Sequence, residues 1–149
     1  MLNSLPSEKV AVSGVIDPDA NTAATLTTEY VNMGTFQRAM GIILAGTLGS
    51  SATLDAKLVQ ATDAAGTGKK DITGKAMVQL TQAGSDSDKQ VVLNVRASEL
   101  DAQNDFAFVA IEMTTAVATS DSAAILLGMD PRIGVASDSD LASVDEIVE

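Results

Sequence analysis

Three arrangements in this sequence have the residue types for chemistry, and each fails on spacing. The first is Gly66-Thr67-Gly68-Lys69-Lys70. A glycine-rich loop ahead of a helix can cradle phosphates with its backbone amides, and a lysine can reach them. Here the residue five positions before Gly68 is Asp63 rather than glycine, and Lys69 is followed by Lys70 rather than by Ser or Thr. The loop also falls between expected strands instead of at a strand-to-helix junction. It reads as a flexible hairpin with a solvated basic tip of Lys69, Lys70 and Lys75. The second arrangement is the paired acids Asp17/Asp19, Asp86/Asp88 and Asp138/Asp140. A calcium loop needs further oxygen ligands at set offsets and usually a fixed glycine. These pairs lack that spacing and read as turns, where Asp bonds its own backbone. The third is nucleophilic. With no histidine and no cysteine, the usual general base, the commonest metal ligand and the thiolate are missing. A Ser–Lys pair has no sequence marker here. The expectation is a protein that is not an enzyme, with no catalytic, cofactor-binding or metal residues.

The bulk numbers set the frame for the elements. The 149 residues suit one domain, and a chain of this length buries about 70% of its unfolded surface. Net charge is −11, with a pI near 4.1. Phosphate repulsion opposes nucleic-acid binding, and anionic membranes are disfavoured for the same reason. The first residues, MLNSLPSEKVAVSG, lack a basic leader and a long apolar run, so no signal peptide is expected. No stretch approaches the roughly 20 apolar residues of a membrane helix.

Strand signals dominate. In KQVVLNVR (89–96), Val91, Leu93 and Val95 point one way, while Gln90, Asn94 and Arg96 point the other; Val92 is the exception. Phe106 to Met113 is apolar on both faces at first and then alternates, as a strand in mid-sheet does. Between them, Ser98 to Asp101 predicts a short helical turn carrying Leu100 inward. Phe36 to Leu48 is a near-continuous apolar run whose glycines favour a buried strand. Ala52 to Thr62 alternates, with Ala52, Leu54, Ala56 and Leu58 inward. Short strands are expected at 28–33, 71–73 and 76–81, the last with Ala76, Val78 and Leu80 on one face, and a final one at Ala123 to Met129. Seven to nine short strands between turn signals predict an all-β, single-domain β-sandwich, jelly-roll-like, with extended termini.

Three segments follow from this reading. Residues 1–28 are an extended N-terminal arm, with room for one edge strand. Residues 29–132 are the β-sandwich domain. Residues 133–149 are an acidic C-terminal tail, in which Leu141, Val144, Ile147 and Val148 have the spacing of a short amphipathic helix.

Several motifs run together through the middle of the chain: Val31-Asn32-Met33 leading through Phe36, Gly49, ATLDAKLVQA (52–61), DITGKA (71–76), QLT (79–81), VLNVRA (92–97) with Glu99-Leu100, Thr114 to Ser120, LLG (126–128) and Pro131-Arg132. With these, the run from Val31 to Arg132 resembles small virion structural proteins of tailed bacteriophages. The resemblance implies a non-enzymatic decoration or cement protein at the virion surface. It would bind and stabilise the outer capsid shell, with the major capsid protein as partner, no nucleic acid and no membrane. A homo-oligomer, trimer or dimer, is the default for such assemblies. The contacts expected from position are Val10, Val12 and Ile16 on the arm, Leu141, Val144 and Ile147 on the tail, and Arg38 and Arg132 toward acidic groups. A tail or head–tail connector component is the structural alternative. A glycan-binding β-sandwich is the alternative of another class, though aromatics are scarce: Tyr30, Phe36, Phe106 and Phe108.

Overall fold

The computed structural model describes residues 4–148 and is all-β. The strands are β1 (Val10–Asn21), β2 (Ala24–Thr27), β3 (Val31–Asn32), β4 (Phe36–Ala45), β5 (Thr53–Ala61), β6 (Lys70–Ala76), β7 (Leu80–Thr81), β8 (Gln90–Arg96), β9 (Phe108–Ala116) and β10 (Ser120–Pro131). They form two antiparallel sheets. One has the order β1-β10-β4-β8. The other has the order β2-β9-β5-β6, with β3 on β9 and β7 on β5. The longer strands cross between layers as the chain advances: β1, β4, β8 and β10 in one sheet, β2, β5, β6 and β9 in the other. That alternation of Greek keys is a jelly-roll sandwich.

The core lies between the sheets. Leu54, Leu58, Val109, Ile111 and Met113 from one layer meet Ile43, Leu126, Leu93 and Val95 from the other. Small residues on the inner face of the β4/β10 layer make room for large ones. A Cβ on Gly41 would meet Ile111, and one on Gly128 would lie 2.5 Å from the Phe36 ring. The Phe36 ring therefore packs flat against a bare stretch of β10.

Several expectations need correction. The segment 1–28 does hold an edge strand, β1, which zips onto β10, but it goes further than an arm: Ala24–Thr27 also pairs with β9, so both sheets include it. Residues 1–3 lie outside the described residues. The 89–96 strand lies at a sheet edge, since β8 pairs with β4 alone, and β9 sits in mid-sheet between β2 and β5 as its apolar faces predict. Val78, expected inward, is 88% exposed, because β6 ends at Ala76 and the chain loops out before β7. Around Ser98 the chain makes two 3-10 turns, Ala97–Glu99 and Ala102–Asn104, with Leu100 buried between them. The first is closed by the Glu99 carboxylate accepting from Arg96 N (2.8 Å), not by Ser98 and Asp101.

The tail is not an amphipathic helix. After a 3-10 turn at Ala136–Ser139 it runs along the free edge of β1. Leu141 N donates to Val12 O (2.9 Å), and Val12 N donates to Asp140 Oδ1 (2.6 Å). A segment this short gains too little from its own helical bonds to hold a helix. Here the tail satisfies an open strand edge instead. Glu149 lies outside the described residues.

Candidate functional site

The strand register fixes what stands on the outer face of the four-stranded sheet. Residues directly opposite one another on antiparallel strands share a face. One row reads Val12, Leu127, Met40, Asn94, and the next reads Val15, Ile125, Ile42, Val92. Beyond it stand Ala123, Leu44 and Gln90. At the other end the row is Val10, Met129, Arg38, Arg96. Among the described residues, no acidic one occupies these rows. The result is a face with apolar middle rows and its charged groups at the two ends, on a molecule of net charge −11. Leu44 is exposed, and Val92 keeps 52% of its surface in solvent.

A shallow depression lies at each end of this face. One, of about 530 Å³, is lined by Pro18, Leu44 and Ala123, with Asp19 and Asp121 at its rim. The other, of about 490 Å³, is lined by Arg38, Arg96, Asn94, Met40 and Met129, with Lys75 and Glu99 alongside. Arg38 donates to Asp130 Oδ2 (2.5 Å). Lys75 pairs with Glu99 (2.8 Å), whose carboxyl is held below the ordinary range by that bond and by Arg96 N. Among the described residues, Arg96 has no carboxylate within salt-bridge distance.

The face of the other sheet is a closed ionic network. Glu112 on β9 lies opposite Lys57 on β5, pairs with it at 3.4 Å, and also binds Lys69. Lys57 reaches Asp71 at 2.8 Å. Burial pushes the Glu112 carboxyl up, but the Lys69 bond and the charges of Lys69 and Lys57 outweigh it and hold the group below the ordinary range. Burial raises the Tyr30 hydroxyl, opposed by Lys69 and reinforced by Glu112 and Asp63.

The glycine-rich loop is occupied by its own chain. Asp63 Oδ1 accepts from Ala65 N (2.9 Å) and Thr67 N (3.0 Å), where a phosphate would have to bind. Its lysines are not a solvated tip as expected. Lys69 binds Glu112, Lys75 binds Glu99, and Lys70 binds Asp101 (2.5 Å) while lying 4.0 Å over the Phe106 ring. Charges this fully paired with one another leave little for a ligand.

The expected contact residues divide. Val10, Val12 and Arg38 stand together on the outer face of the four-stranded sheet. Leu141 lies at its β1 edge, and Val144 N donates to Leu141 O (3.0 Å) in the same turn. Ile147 is exposed beyond it. Ile16 is not a surface contact: a register shift between Val12 and Gly14 breaks the alternation and leaves it facing inward at 6% exposure. Arg132 is turned to its own chain and donates to Met33 O (3.4 Å). The face residues that sequence reasoning passed over, Met40, Ile42, Leu44, Ile125, Leu127 and Met129, sit in strands apolar on both sides. Val92, the break in an otherwise regular alternation, was the one visible sign of that face.

No family model matches the chain, and no curated protein does. Among solved structures, the chain is similar to a cowpea mosaic virus empty virus-like particle, at 9% identity and TM-score 0.44, over 90% of this chain and 86% of that one. It is similar to infectious bursal disease virus, Gx strain, at 10% identity and TM-score 0.43, over 86% of this chain; it spans about a third of that chain's length (33%). It is also similar to the xylan-binding domain CBM22-1 from Paenibacillus barcinonensis Xyn10C, at 12% identity and TM-score 0.39, over 83% and 85%. Likenesses this distant assign neither a family nor a role.

Proposed function

We propose that this protein is a non-enzymatic structural protein of a phage virion that binds and stabilises the outer capsid shell, with the major capsid protein as its partner. One observation supports the reading above all: the two middle rows on the outer face of the four-stranded sheet are apolar but for Asn94 and carry no acid, on a strongly acidic molecule. The face covers about 450 Å² in plan by strand spacing, the size of the largest apolar patch on a typical monomer, and such a patch is often a functional surface. On the other sheet, Lys57, Lys69, Lys70 and Lys75 are each paired with a neighbouring carboxylate, which suits a rigid building block more than a catalyst.

The test is co-sedimentation of the purified protein with shells lacking it, with shell melting followed in parallel. Saturable binding that raises the shell's melting temperature is the expected result. Absence of binding at concentrations well above those of the shell sites overturns the reading.

A further inference from the structure

From the charge layout of the same face, we infer that it takes a second copy of this chain, packed face to face with the strands of the two copies running in opposite directions. The inference rests on the reading of this face as an assembly surface and names its occupant.

The argument is self-complementarity. A two-fold axis lying in the interface makes each patch meet itself, so a self-binding face must be its own partner. Two such axes are open to a sheet. An axis along the strands would bring the Arg38/Arg96 end onto the same end of the copy, gathering four arginines at one end of the interface. An axis across the strands exchanges the ends. It lays β8 on β8 with Arg96 of one copy over the Gln90 end of the other. Asp88 stands just beyond Gln90, and Asp19 and Asp121 rim the same end of the sheet. Facing groups at that end also include Lys89, which is held by Asp86 (2.5 Å). At the arginine end Asp130 offsets Arg38 and Glu99 offsets Lys75, so Arg96 supplies the free positive charge. The middle rows then pack Ile42 against Met40 and Leu127 against Ile125 of the second copy without bringing acids together.

Area agrees with a modest dimer. Strands rise about 3.4 Å per residue and lie about 4.8 Å apart, so the face from Ala123 to Met129 across four strands covers about 450 Å² in plan. Standard interfaces bury about 800 Å² per partner. At about half that area the face suits a concentration-dependent dimer rather than an obligate one.

The experiment is sedimentation equilibrium of the full chain from 5 to 500 µM, on wild type and four variants, without shells. Leu127→Glu, in the half-exposed centre, should abolish the dimer while the circular-dichroism melt is retained. Gln90→Glu adds a carboxylate under each Arg96 and should tighten the dimer about fivefold, whereas Gln90→Lys should loosen it by a similar factor. In an Arg96→Glu background the order should reverse, Gln90→Lys becoming the tighter form. These charge variants keep the test alive if Leu127→Glu fails to fold. A chain that stays monomeric to 500 µM, or Gln90 variants that shift affinity in the same direction, overturns the inference. Shell co-sedimentation separates the two ideas. Monomers that bind shells through this face sink the dimer and leave the shell reading standing. Dimers that ignore shells do the reverse.

Discussion

Arg38 and Arg96 stand directly opposite one another on β4 and β8, and Asp130 binds only the first. Like charges in a cross-strand pair are destabilising, by up to about 1 kcal/mol. Replacing Arg96 with Gln should therefore leave the monomer slightly more stable, by about 0.5 kcal/mol in urea unfolding at low micromolar protein. The same variant should weaken self-association. If Arg96→Gln costs stability, the arginine is held by its own chain and is not waiting for a partner.

Gly128 and Phe36 give a packing prediction. An added Cβ on Gly128 would sit 2.5 Å from the ring, inside van der Waals contact. Gly128→Ala should cost about 2 kcal/mol, the usual scale for overpacking a core. Phe36→Leu alone should also destabilise, but the double variant should lose less than the sum of the two. Strict additivity in that cycle would mean the two positions do not share the strain.

The tail makes a third prediction. Asp140 accepts a 2.6 Å hydrogen bond from Val12 N at the free edge of β1. Removing a charged acceptor from a half-buried amide costs about 1–2 kcal/mol, so Asp140→Ala should lower the melting temperature. Ending the chain after Val135 should do more. It uncovers the strand edge, and light scattering on storage should rise through edge-to-edge pairing. A truncated chain that melts and stores like the full one would show that the tail leaves β1 untouched in solution.

Glu112 sets a pH dependence. Its carboxyl titrates below the ordinary value of 4.5 in the folded chain, so the stability it contributes is present above that value. That contribution is lost as pH falls through the lowered folded value. Glu112→Gln should cost about 1 kcal/mol at pH 7, and the gap to wild type should close as the medium is acidified below about pH 4. The gap, not the absolute melting temperature, is the quantity to follow, because protonation also relieves the repulsion of a net −11 chain. A gap that stays constant from pH 7 to 3 would mean that the ion network contributes through packing alone.

What the amino-acid order determined by itself was the class of fold and the lack of ordinary catalytic parts. Alternation at 52–61 and 89–96 is local, so Leu54, Leu58, Leu93 and Val95 could be placed inward from spacing alone. The absence of histidine and cysteine needs no structure either. The extent of the domain was not legible, because β1 becomes a strand only by pairing with β10, a partner more than a hundred residues away along the chain. The tail was misread for a similar reason: its apolar spacing suits a helix, but its amides find Val12 instead. The candidate face lay furthest out of reach. In β4 and β10 both sides are apolar, one in the core and the other on the sheet's outer face, and periodicity cannot tell those apart. Only the sheet order β1-β10-β4-β8, which sets Leu127 beside Met40 and Arg38 beside Arg96, decided which side was which.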